Sequence, residues 1–96
     1  MQNSSQKQYR VNINRHASKE ITRIPKAIAS KILTKITKLH ENPFPSGCKK
    51  VSSLENGYRL RQGDYRILYV VNSSSFVITV VAVTHRKEAY SNLRSQ

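Results

Sequence analysis

The chain is expected to adopt an α+β fold, an antiparallel β-sheet packed on an N-terminal two-helix hairpin in the order β-α-α-β-β-β. Three features of the sequence predict it. Apolar residues alternate with polar ones near the N-terminus, an apolar stripe at helical spacing runs through the middle, and three strand-like runs separated by short turns fill the second half. With 96 residues there is room for one modest core. Residues 1–7 read as a flexible polar arm and residues 8–96 as the single domain.

The elements follow in order. Tyr9, Val11 and Ile13 alternate with Arg10, Asn12 and Asn14, the period of a half-buried strand. Asn14 suits the N-cap of a helix whose Ala17, Ile21 and Ile24 share one face. Pro25 suits the first turn of a second helix. Ile24, Ile28, Ile32, Ile36 and Leu39 then recur at spacings of four, four, four and three, with Lys26, Lys31, Lys35 and Lys38 largely off the stripe. A helix lying on a membrane would normally carry Trp or Phe on its apolar face; this one carries only Ile and Leu, so the stripe is read as core. The helix ends near Asn42-Pro43, and Pro43, Pro45, Ser46 and Gly47 mark a loop. Lys49 to Asn56 suits either a short strand or a turn. Tyr58 to Arg61, Tyr65 to Asn72 and Phe76 to Thr84 are strands joined by Gln62-Gly63-Asp64 and Ser73-Ser74-Ser75, and turns this short imply an antiparallel meander. Phe76 to Val83 is apolar on both faces and should be a central strand. Glu88 to Leu93 suits a short C-terminal helix.

Charge narrows the function. Seventeen Lys and Arg against five Asp and Glu leave a net charge of +12, which favours a polyanionic partner: nucleic acid, an anionic membrane surface or an acidic protein. The lone Cys48 excludes an internal disulfide, points to a reducing compartment, and has no local base to make it a nucleophile. The N-terminus lacks the apolar core of a signal peptide, and no run approaches the roughly 18 apolar residues of a membrane span. A soluble, cytoplasmic protein is expected. His16, His40 and His85 are scattered, so no metal site is expected. There is no phosphate-cradling glycine loop, nucleophile elbow or suggestive carboxylate pair, and no cofactor is expected. Any phosphoryl chemistry must then run on basic residues, histidine and tyrosine.

Alternation puts Arg59 and Arg61 on one face of their strand and Tyr58 and Leu60 on the other. On the next strand Arg66 shares a face with Leu68 and Val70, and the tight turn at Gly63 lets Arg66 approach Arg59 and Arg61. His85, Arg86 and Lys87 close the last strand, with Tyr90 beyond. The meander is expected to gather up to five cations and this tyrosine on one concave face, where a nucleobase can stack on the ring. Lys49, Lys50 and Lys87 are expected to add RNA-binding contacts.

The segment Tyr58-Arg-Leu-Arg-Gln-Gly-Asp-Tyr-Arg-Ile-Leu-Tyr69, followed by Val81-Ala-Val-Thr-His-Arg-Lys-Glu-Ala-Tyr90, resembles the RelE/ParE toxin superfamily, and the order of elements agrees from about Tyr9 to Tyr90. The RelE branch are endoribonucleases that cut messenger RNA in the ribosomal A site and are neutralised by a cognate antitoxin, usually acidic. The resemblance therefore implies the ribosome, mRNA and such an antitoxin as partners. It places Arg59 and Arg61 where the best-known members carry two lysines, Arg66 at the arginine that holds the scissile phosphate, Arg86 at a second cation near the leaving group, and Tyr90 at the tyrosine that orients the base. Arginine keeps its proton at physiological pH, so Arg59 and Arg61 suit charge stabilisation better than proton transfer. His85 is then a candidate proton carrier beside Arg61, because histidine is the side chain that titrates nearest neutrality; it reads equally well as an ordinary strand-end histidine. Two other readings stay open: a ParE-type inhibitor of DNA gyrase on the same fold, and a non-catalytic basic module that binds nucleic acid.

Overall fold

Asn14 both ends the first strand and starts the first helix. Its backbone is extended and its side-chain oxygen accepts the Ala17 N–H at 2.8 Å, satisfying one of the donors a helix start leaves open. In the computed structural model, which describes residues 8–85, this is the junction between β1 (Arg10–Ile13) and α1 (Arg15–Thr22). The expected arm, the short terminal helix, and Arg86, Lys87 and Tyr90 lie outside the described residues. Pro25 stands one position before α2 (Lys26–Lys38), with φ −52°, and its carbonyl accepts from the N–H groups of Ile28 and Ala29. The ring fixes φ where the helix must begin.

Four strands follow: β2 (Lys49–Val51), β3 (Gly57–Gln62), β4 (Tyr65–Asn72) and β5 (Val77–His85). They form one sheet with β1, in the order β1-β5-β4-β3-β2. The β2·β3, β3·β4 and β4·β5 pairings are antiparallel, as the short turns predict. To this meander the fold adds one parallel pairing, β1 against β5, and the ambiguous stretch after Cys48 supplies the short edge strand β2. β5 therefore has a neighbour on each side, as its double-sided apolar sequence requires.

The helical stripe lands on this sheet. Ile24, Ile32, Ile36 and Leu39 are buried, with Ala17 and Ile21 of α1, against Leu60, Ile67, Tyr69, Val71, Ile78, Val80 and Val83; Ile28 packs at the margin. Burial of each such aliphatic side chain contributes about 1.5–3 kcal/mol before the entropy of ordering it. A bulge tunes the phase of β5. Along its ladder with β4 it steps from Ala82, opposite Leu68, to Val80, opposite Tyr69, leaving Val81 as the extra residue. Without it Val80 and Val83 would point to opposite faces; with it Ile78, Val80 and Val83 all enter the core.

Three local devices hold the sheet's ends. Gly63, at φ +60°, is the first residue of the two-residue loop between β3 and β4, the glycine position of a type II′ hairpin turn. Phe76, expected to open β5, instead sits at φ +58° and closes the loop that begins after Asn72; its ring meets Tyr9 edge-on at 5.3 Å. The β5 edge beyond β1 is covered by α1: Glu20 Oε1 accepts the Val83 N–H at 2.6 Å, taking the place a neighbouring strand would fill.

Candidate active site

Residues directly opposite each other in a ladder share a face. The register sets Lys49 opposite Arg59, and Arg61 opposite Arg66, which is itself opposite Thr84 on β5. All lie on the face turned away from the helices, because Leu60, Ile67 and Val83, the intervening residues, enter the core. There a pocket of about 110 Å³ is lined by Gly47, Lys49, Arg59, Leu60, Arg61 and Arg66. It holds four cations and no acidic side chain among its described lining residues. Pockets that enclose a drug-sized ligand measure about 300–1,000 Å³, so this one can admit a phosphate while the rest of a nucleotide lies across its mouth.

The cations are held from several directions. Arg61 Nε donates to the Gly63 carbonyl at 3.1 Å, so the glycine that permits the turn also orients the arginine. Lys35 of α2 donates to the Arg61 carbonyl at 2.9 Å, tying the end of β3 to the helix. Gly57, at the other end of β3, lies so close to Leu54 that an added Cβ would come within 2.6 Å of that side chain. Lys49 is delivered by the loop after α2. That loop is anchored by Tyr69, wholly buried, whose hydroxyl donates to the Pro43 carbonyl at 2.9 Å. Burial, reinforced by a hydrogen bond with Cys48, pushes the Tyr69 hydroxyl well above its ordinary pKa. Tyr69 stacks on Tyr58, which meets Phe44 edge-on at 5.0 Å, so an aromatic column braces the loop.

Of the predicted site residues, Lys49, Arg59, Arg61 and Arg66 come together. Lys50 does not: it is opposite Tyr58, on the other face of the sheet. Nor does His85. It is opposite Tyr65, their rings meeting edge-on at 5.2 Å, and it lines a separate pocket with Glu20, Arg23, Ile24, Tyr65 and Val83 on the helical side. The expectation of a single face holding His85 with the arginines is thus corrected by alternation itself: with Val83 in the core, His85 two residues on must share its side. Arg86, Lys87 and Tyr90 lie outside the described residues. Sequence reasoning missed Lys35 as a support, and no local pattern marks it, because its contact spans 26 positions.

Comparison with known proteins decides among the families with such a sheet and hairpin. A family model described as ParE toxin of type II toxin–antitoxin system, parDE, matches residues 11–90. The chain belongs to this toxin family. Within it the toxin is RelE-like. It is 26% identical over 83 residues to Toxin RelE of Mycobacterium tuberculosis, covering 85% of this chain and 86% of that one. It is 31% identical to a chain of the archaeal RelE–RelB complex from Pyrococcus horikoshii, with a TM-score of 0.74 over 82% of this chain and 96% of that one. A chain of the RelB–RelE antitoxin–toxin complex from Methanococcus jannaschii gives 26% identity and a TM-score of 0.70, over 84% and 96% of the two chains. The chain is a RelE-like toxin of a type II toxin–antitoxin system.

Proposed function

We propose that the toxin is a ribosome-dependent endoribonuclease that cuts messenger RNA in the A site of cytoplasmic ribosomes. The observation that carries this is the pocket in which Lys49, Arg59, Arg61 and Arg66 face one another across neighbouring strands. Like charges placed opposite each other cost stability, and a bound phosphate removes that cost. In the reaction the 2′-hydroxyl attacks the adjacent phosphate in line and the 5′-oxygen leaves. Arg66 and Arg59 stabilise the charge that grows on the phosphoryl oxygens, Arg86 aids departure of the 5′-oxygen, and Tyr90 holds the base. The ribosome supplies the positioning of the messenger, so free RNA is cut weakly or not at all.

An antitoxin is the second partner. The related toxins of Pyrococcus horikoshii and Methanococcus jannaschii occur in complexes with RelB, and a net charge of +12 suits an acidic protein that covers the basic face. The protein encoded beside this toxin is expected to bind it tightly and abolish cutting.

A second reading is favoured by the family model, whose description is of a ParE toxin: inhibition of DNA gyrase without cleavage. Two assays on the same preparation separate them. On ribosomes programmed with a defined messenger, cuts confined to the A site and lost in Arg66→Ala and Tyr90→Ala support the nuclease. Intact messenger together with blocked gyrase supercoiling supports the inhibitor.

A further inference from the structure

We infer that Lys49 is the proton acceptor for the attacking 2′-hydroxyl; the inference rests on the endoribonuclease reading. Cleavage needs a group that can take a proton, and the pocket restricts the choice. Arg59, Arg61 and Arg66 keep their protons, and Arg61 Nε is committed to the Gly63 carbonyl. His85 is on the other face of the sheet, with Tyr65 and Glu20. Among the four cations that line the pocket, Lys49 is the one that can lose its proton and act as a base.

Its setting suits the task. Lys49 is exposed on the edge strand β2, directly opposite Arg59, and reaches the pocket from the side that the β3–β4 hairpin does not occupy. The charged groups that face it are Arg59 and Arg61 from β3 and Arg66 from β4. From its own segment comes Gly47, while Cys48 packs against the core and Lys50 is on the opposite face. The three guanidinium groups grip the phosphate, which leaves the Lys49 amine beside the attacking hydroxyl. In the step, the bond from the 2′-oxygen to phosphorus forms and the bond from phosphorus to the 5′-oxygen breaks. The hydroxyl proton passes to neutral Nζ, giving an ammonium ion. The electron pair of the broken bond leaves on the 5′-oxygen, which takes a proton from water. The products are a 2′,3′-cyclic phosphate and a 5′-hydroxyl.

The test is single-turnover cutting of a defined messenger on programmed ribosomes, across a range of pH, by wild type, Lys49→Arg, Lys49→Ala and Arg66→Ala. Ribosome binding by each protein is measured alongside. Lys49→Arg keeps the charge and removes the base. It is expected to bind ribosomes like wild type yet cut about 10²-fold more slowly or worse, as slowly as Lys49→Ala. The wild-type rate is expected to climb tenfold per pH unit on its acidic limb and the Lys49→Arg rate to stay flat. If Lys49→Arg cuts as fast as wild type while Arg66→Ala does not cut, Lys49 is only a charge contact: the inference fails and the nuclease reading stands. If wild type leaves the messenger intact, both fail.

Discussion

The cross-strand placement of Lys49 and Arg59 makes a quantitative prediction. Two unit charges about 7 Å apart in water repel by about 0.6 kcal/mol. With a Debye length of about 30 Å at 0.01 M salt, about 0.5 kcal/mol of that survives; with about 3 Å at 1 M, less than about 0.1 kcal/mol does. The pair therefore opposes folding at low salt, and the double-mutant cycle of Lys49→Gln and Arg59→Gln isolates the term from whatever else each side chain does. The assay is urea unfolding, because urea, unlike guanidinium, leaves ionic strength free to be set. The expected result is a repulsive coupling of about 0.5 kcal/mol at 0.01 M salt that vanishes at 1 M. In a domain of this size that equals about 2–4 °C in melting temperature. A coupling that is zero or attractive at 0.01 M salt would show that these cations do not face each other, and the phosphate pocket would lose its basis.

Three further outcomes test the scaffold. Asn14→Ala removes the α1 cap and should lower stability by about 1 kcal/mol in urea unfolding, with cutting retained once the protein is folded. Gly57→Ala drives a Cβ to within 2.6 Å of Leu54; it should cost about 1–3 kcal/mol and, by displacing β3, weaken phosphate binding measured by calorimetry. Tyr69→Phe leaves the Pro43 carbonyl without its donor and should cost about 0.5–1.5 kcal/mol near neutrality. Its pH dependence is distinctive. The folded hydroxyl titrates above its ordinary value near 10.0, so the stability it contributes is complete below that value and is lost as pH rises above it. Tyr69→Phe should flatten the loss of stability on the alkaline side.

Much of this was legible in the residues. The Ile stripe, the Asn14 cap and the Gly63 turn are local signals, and each has the role its spacing implies. Alternation also sufficed to bring Arg59, Arg61 and Arg66 together, because a two-residue turn leaves little freedom of register. What the sequence hid is non-local or depends on one residue of phase. The parallel pairing of β1 with β5 joins distant segments. The bulge at Val81 sends Val80 and Val83 to the same side, and His85 with them. A reading that counts apolar residues on both faces of β5 has no means of locating that extra residue. Phe76 is similar: its sequence looks like strand, and only the closure of the loop requires its positive φ. Lys35 could not be foreseen, because its acceptor is a backbone carbonyl on another element.

Cleavage of ribosome-bound messenger through attack by the 2′-hydroxyl can be read from the mass of the upstream fragment released from programmed ribosomes. The fragment is expected to end within the A-site codon in a 2′,3′-cyclic phosphate and to be absent when Arg66→Ala replaces the wild type. A fragment ending in a free 3′-hydroxyl, or no fragment at all, would contradict it.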